Sequence, residues 1–174
     1  EVFSVEKAKT DAQNSKVATY EFENNELITN IKYQDKEKLI CMSKDKIVEF
    51  ALDGSKEELF NNESKKTTFQ TIELANNVAE IEEKTSDLFS ADSVVTIIST
   101  ENKNTSTYTA KAVTKEIYTS DNIIALNLGT EIEFINTGGW LAKRYKATQE
   151  ITNITLSSNM AGIIYRDRIE IINL

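Results

Sequence analysis

The chain is expected to be all-β, a β-propeller built from four-stranded antiparallel blades of about 40 residues each. Two observations carry that expectation. The pattern strand, polar turn, apolar strand, tight turn, apolar strand recurs four times, from Ile28, Val78, Thr114 and Ile151. The apolar runs within it are short and rich in β-branched residues, and no window of 11 to 18 residues holds a helical stripe. Repeats of this length bury their faces only against their neighbours, which is the sequence signature of a propeller or solenoid.

The repeats align on one turn column. Asp45, Asp92, Thr130 and Asp167 occupy it, at spacings of 47, 38 and 37 residues. A strand follows each, at Ile47–Phe50, Val94–Ile97, Ile132–Ile135 and Ile169–Ile172. Before each lies a shorter run, Leu39–Met42, Leu88–Ala91, Ile123–Leu128 and Met160–Tyr165, which suits a strand covered on both faces. "NIIALNLGTEIEFIN" overlays "NMAGIIYRDRIEIIN" without a gap, and "ITNI" opens both the first and last units.

Fourth strands are expected at Thr67–Leu74, Ser106–Val113 and Trp140–Ala147. Hairpins marked by Asp53-Gly54, Asn102-Lys103-Asn104 and Gly138-Gly139 lead into this part of each unit. The opening segment reads as two strands of a preceding blade, Val2–Lys9 and Lys16–Glu23, with the polar "EKAKTDAQNSKVA" stretch taken as strand end, loop and strand start. The resulting divisions are residues 1–26 as the end of a preceding blade, then blades at 27–76, 77–113 and 114–148, with three last strands at 149–174. A final unit without its outer strand, and a surplus strand in front, favour part of a seven- or eight-bladed ring. The alternative is a four-bladed ring closed by strand 16–23. The start at Glu1 reads as a processed or truncated one.

Composition removes several functions. A formal net charge of −8 with no basic stripe argues against nucleic acid and against a polybasic hold on membranes. No window approaches the ~20 apolar residues of a spanning helix. Histidine is absent, which takes away the commonest general base, the Ser-His-Asp and Cys-His arrangements and the commonest transition-metal ligand. Cys41 is the single cysteine; within Leu39–Met42 it reads as a small buried hydrophobe rather than a reactive thiol. No EF-hand spacing, P-loop or cofactor motif is present, so no cofactor and no metal are expected. The sequons at Asn62, Asn104 and Asn153 read as chance in an Asn-rich chain.

Two kinds of site survive. Trp140, beside Gly138-Gly139, is the best binding aromatic; exposed together with Tyr145 it would stack on a sugar or a partner's side chain, whereas the plainer reading packs it onto the next blade. Glu131 and Glu133 share one strand face, with Glu170 aligned to Glu133. They would line a channel for a two-carboxylate glycan chemistry, or pair across strands with Lys and Arg. The recurrent aspartates read as turn formers.

"NIIALNLG…EIEFIN" resembles the repeats of quinoprotein-like and WD-repeat-like β-propellers. The Ile/Lys/Asn-rich form ending "AGIIYRDRIEIINL" looks like a propeller family of low-GC bacteria whose members carry an N-terminal membrane anchor. No Trp-Asp or Gly-His dipeptide closes the units, and the Gly/Trp-rich docking run of quinoproteins has only a partial echo in Gly138-Gly139-Trp140. The resemblance implies an extracytoplasmic, anchored protein, with a cytoplasmic one as the alternative, and no catalytic residue. The function expected is a non-catalytic scaffold for a protein or peptide partner, or for self-association of half-propellers. A carboxylate-dependent glycan-active enzyme or sugar-binding propeller is the alternative.

Overall fold

The computed structural model describes residues 1–22, 26–43, 45–62, 68–74, 77–87, 90–120 and 122–174. They form β-propeller blades: three four-stranded sheets, one of three strands, and a two-stranded opening piece. The chain divides into two compact units, Glu1–Lys65 and Lys66–Leu174.

In the first unit, β1 (Val2–Phe3) pairs with β2 (Lys16–Ala18) around a short helix, α1 (Val5–Thr10). A strand was expected over Val2–Lys9. Ser4 instead caps a helix by accepting from the Lys7 N–H at 3.3 Å, with Glu6 in the first turn, so local capping wins over the two apolar residues at the start. The sheet that follows runs β3 (Ile28–Tyr33), β4 (Lys38–Ser43), β5 (Lys46–Ala51) and β6 (Lys56–Asn61), each paired with the next. The fourth strand expected at 67–74 is not the one found. Gly54, at φ 92, closes a tight hairpin in which Asp53 Oδ1 accepts from the Ser55 N–H at 2.8 Å, so the chain returns at once along β5 as β6. Leu39, Cys41, Val48 and Phe50 make this unit's core, covered by Val2, Tyr20 and Phe22. Tyr20 stacks at 4.4 Å from Phe50 and donates its hydroxyl to the Ala51 carbonyl. Burial pushes the Cys41 thiol up, as expected of a packed hydrophobe.

The second unit begins with β7 (Thr68–Leu74), β8 (Asn77–Asp87), β9 (Ser90–Ser99) and β10 (Thr105–Thr109), in that spatial order. Thr67, Leu88 and Phe89 lie outside the described residues, as do Glu23 and Asn76. Asp92, expected in the turn column, sits inside β9 opposite Lys84, because β8 and β9 are long and stay paired as far as Asp87↔Ser90. Nothing between Ser90 and Ser93 demands the positive φ that would break the ladder. Next come β11 (Glu116–Ser120), β12 (Ile123–Asn127), β13 (Glu131–Asn136) and β14 (Leu141–Lys146), then β15 (Asn153–Leu156), β16 (Met160–Ile164) and β17 (Ile169–Asn173). Outer strands thus fall at β10, which overlaps the expected span 106–113 but begins at Thr105 and ends at Thr109, and at β14, inside the expected span 140–147. The innermost strands β7, β11 and β15 lie side by side.

Period 2 decides the packing. On β12, Ile124 and Leu126 join Ile117 and Ile135 against Ala79, Val95, Ile97 and Ala110 of the preceding sheet. The alternate residues Ala125, Ile132 and Phe134 face Ile154, Ala161 and Ile163 of the following sheet. A sheet covered on both sides needs apolar residues at successive positions, which is why its strands read as continuous runs. Each Ile, Leu or Phe among them contributes on the order of 1.5–3 kcal/mol by burial.

Phe134 is fully buried between two sheets. Phe134→Ala is expected to lower unfolding free energy by about 3–5 kcal/mol in urea titrations, through lost burial and the cavity left behind. Ile169→Ala, at an exposed position, should change it by ~0.5 kcal/mol or less.

Candidate functional site

Trp140 is 74% exposed. It stands at the tip of the β13–β14 hairpin, and that tip is held from two directions. Asn136 Oδ1 accepts from the N–H groups of Gly138 (3.0 Å) and Trp140 (3.1 Å), and the Asn136 N–H donates to the Trp140 carbonyl at 3.0 Å. Gly139 has φ 77, and a Cβ there would lie 2.9 Å from the Thr107 carbonyl oxygen of β10. Glycine is required on both counts: the left-handed backbone and the close approach to the neighbouring sheet. The indole is therefore a displayed aromatic on a fixed mount. It does not pack the outer strand onto a neighbour, the plainer of the two sequence readings.

Tyr145 does not share that surface. It lies five residues further along an extended strand, roughly 15 Å away at ~3.3 Å per residue. Its ring packs against the core between the last two sheets. Its hydroxyl donates to Glu170 and meets the Tyr165 hydroxyl at 2.8 Å. The Tyr165 hydroxyl also reaches Glu170, at 3.5 Å. Burial, then Glu170 and Tyr165, push the Tyr145 phenol well above its ordinary value. The Tyr145 hydroxyl holds Glu170 below the usual carboxylate range, helped by Arg168, whose Nε lies 2.8 Å from the carboxylate. Arg168 also sits over the Tyr165 ring at 4.6 Å.

The three acidic residues singled out by sequence divide in the same way. Glu133 is 0% exposed and receives Arg144 Nε at 2.8 Å across the β13–β14 ladder. It also accepts the Lys111 N–H at 3.4 Å, from the connection after β10. Tyr108 of β10 completes the group; burial, then Glu133, raise its phenol. Glu131 is ion-paired with the Lys111 ammonium. Glu133 and Glu170 thus hold equivalent places on the third strand of a sheet: Glu170 accepts the hydroxyl of Tyr145 from the outer strand of the sheet before, and Glu133 adds to burial in raising the phenol of Tyr108 from the corresponding strand. Tyr108 precedes Glu133 by 25 residues, and Tyr145 precedes Glu170 by 25. That recurrence was the available signal for this cluster, since Arg144, Tyr108 and Lys111 drew no notice as single residues.

In the first unit Glu49 is buried and paired with Lys38 Nζ at 2.9 Å. A pocket of about 330 Å³ there lies over Phe22 and Phe50. Its charges pair within the rim, Lys46 with Glu26 at 3.6 Å and with Glu58 at 3.9 Å. Asp45 lies in the β4–β5 turn, where its carbonyl accepts from Asn62. Asp167 lies in the β16–β17 turn, taken by Gln149 Nε2 at 2.7 Å. Among the described residues, no three of His, Cys, Asp and Glu come together as a metal site. No helix among them is long and apolar enough to cross a membrane.

Arg144→Leu is expected to leave a buried carboxylate without its cation and to cost about 1–3 kcal/mol in urea unfolding. Glu133→Leu added to it should recover most of that loss, since a well-packed apolar pair replaces a buried ion pair at little cost. For Glu170 the folded pKa lies below the unfolded one. Its contribution is therefore present above the ordinary value of 4.5 and is lost as pH falls through the lowered folded value. Tyr145→Phe should reduce the urea midpoint at pH 7, and this deficit should shrink below pH 4 as Glu170 protonates in both proteins.

Comparison with known proteins agrees with this architecture. A structure described as a eukaryotic initiation factor superposes with a TM-score of 0.62 at 11% identity, over 94% of this chain and 45% of that one. An S. cerevisiae structure of Dbp5 bound to Nup159, Gle1, IP6 and ADP gives 0.54 at 10% identity, over 84% and 44%. Hsv2 of Kluyvelomyces marxianus gives 0.50 at 15% identity, over 86% and 49%. The chain thus spans about half the length of these solved structures, and at such identities the likeness is one of fold. No curated protein matches the sequence. Over residues 1–174 the sequence matches one family throughout, and the chain belongs to it: the family of unknown function DUF5711.

Proposed function

We propose that this chain is a non-catalytic β-propeller scaffold that presents its hairpin tips, Trp140 foremost, to a protein or peptide partner. One observation carries the reading. The carboxylates that a glycan-cleaving site would need are engaged by cations of the fold, Glu131 by Lys111, Glu133 by Arg144 and Glu170 by Arg168, while the indole of Trp140 stays open to solvent. An acid–base pair needs carboxylates free to exchange protons with a substrate; these hold sheets together. A fixed, exposed tryptophan is the residue type that dominates binding hot spots.

The S. cerevisiae structure of similar fold is itself an assembly of several proteins, which supports a protein partner. The net charge of −8 favours a partner with a basic surface over nucleic acid. The setting we propose is extracytoplasmic, with the chain tethered by an N-terminal anchor as in the low-GC bacterial propellers that its repeats resemble. Its repeats resemble those of the quinoprotein-like and WD-repeat-like propellers, which supports an interaction scaffold.

Trp140 is the sole tryptophan, so its emission reports on the tip directly. Free protein should show solvent-exposed emission that acrylamide quenches readily. A panel of polysaccharides and oligosaccharides should give no release of reducing ends. Release of reducing ends that Glu170→Gln or Glu131→Gln abolishes would establish the glycan-active alternative in place of the scaffold.

A further inference from the structure

The cavity of the first unit lies where the later sheets fill the same space. Three residues past the shared turn column stand Val48, Glu133 and Glu170. Glu133 and Glu170 reach back toward Tyr108 and Tyr145 of the strand before. Val48 has no polar group for such a link, and the pocket of about 330 Å³ opens over it instead. That volume is at the lower end of the ~300–1,000 Å³ range of small-molecule sites. Lys46, Val48 and Phe50 share one face of β5 with Lys56 and Glu58 of β6, and the chain after β2 supplies the facing wall through Glu21, Phe22 and Glu26. The cavity thus lies over the outer half of the sheet, away from the opening strand β1.

Its floor is apolar: Phe22 meets Phe50 edge-on at 5.4 Å, beside Val48. Its rim carries three carboxylates, Glu21, Glu26 and Glu58, against two ammoniums, Lys46 and Lys56. That count leaves one negative charge in excess. Lys46, shared between Glu26 at 3.6 Å and Glu58 at 3.9 Å, lies beyond hydrogen-bond length from both. Strand pairing puts the charge in an unusual place for this fold. β14 sets Arg144 opposite Glu133, whereas β6 sets Glu58 opposite Val48. The first sheet therefore has a carboxylate where the later one has a guanidinium, with open space beside it.

We propose that this cavity binds a small organic monocation, a primary ammonium on an apolar stem. The stem covers Phe22, Val48 and Phe50, and the ammonium sits among Glu21, Glu26 and Glu58. An anion fits less well, because it would meet three carboxylates for two ammoniums, one of them already shared between glutamates. The ammonium can belong to a free amine or to a lysine side chain of another polypeptide. This site does not involve Trp140.

The probe is phenethylamine, titrated into the isotope-labelled full chain and followed by amide chemical shifts. Saturable shifts are expected at Lys46, Val48 and Glu58. Hydrocinnamate, a similar body with the opposite charge, should bind about tenfold more weakly. Glu58→Gln should weaken phenethylamine by about fivefold, and Lys56→Gln should tighten it by about twofold. Both positions are exposed, so neither change threatens the fold. Trp140→Ala should leave binding unchanged, so this proposal and the Trp140 reading can fail separately. N-acetyl-lysinamide distinguishes the sources. Tighter binding than phenethylamine assigns the ammonium to a lysine side chain, weaker binding assigns it to a free amine, and either result supports the site. Absence of saturable shifts, shifts centred on other strands, equal binding of hydrocinnamate, or weaker phenethylamine binding in Lys56→Gln would overturn the proposal.

Discussion

A carboxylate buried to the full depth of a β-sheet is tolerable only where cations and hydrogen-bond donors meet it on arrival, and Glu133 is such a group. Its position between two sheets obliges three separate segments to come into register: Arg144 across the ladder, the Lys111 amide from the preceding connection, and Tyr108 from the preceding outer strand. The apolar layers on either side fill space without direction. The carboxylate adds direction, because a shift of one residue in β13 would move it into the layer of Phe134 and strand it there. Glu170 repeats the device one sheet later with Tyr145, Tyr165 and Arg168.

This arrangement explains why acidic residues on inner strands are poor guides to chemistry in this chain. Their alignment between units is what a catalytic pair or a ligand ring would also produce. The difference lies in what faces them. Glu131 meets Lys111, Glu133 meets Arg144 and Glu170 meets Arg168. Exposure moves the other way: the largest aromatic is kept out of the core by Asn136 and by the contact of Gly139 with Thr107.

Legibility followed the locality of the cause. Blade strands could be read because a sheet covered on both faces demands apolar runs such as Ile123–Asn127 and Ile132–Ile135. The tight return at Asp53-Gly54 is visible in the sequence, but the stretch that follows it, Lys56–Asn61, alternates less strongly than the one after Thr67, which hides the outer strand there. Asp92 was misassigned to a turn because its neighbours matched the column in type, whereas pairing over the whole length of β8 determines where that turn falls. The helix after Ser4 rests on a cap and one turn, too short to show a period. Trp140 was legible as a candidate but its partner was not. Tyr145 looks equally suited to a surface until the position of Glu170 is known, and the 25-residue step from tyrosine to glutamate emerges only when two units are laid over each other.

Glu133 and Glu170 act as links between neighbouring sheets. The most direct measurement is the coupling free energy between Tyr108 and Glu133, obtained from urea unfolding of Tyr108→Phe, Glu133→Gln and the double variant. A coupling of at least ~0.5 kcal/mol is expected, the level seen for interacting neighbours. Additive single effects, with no coupling between the two sites, would contradict it.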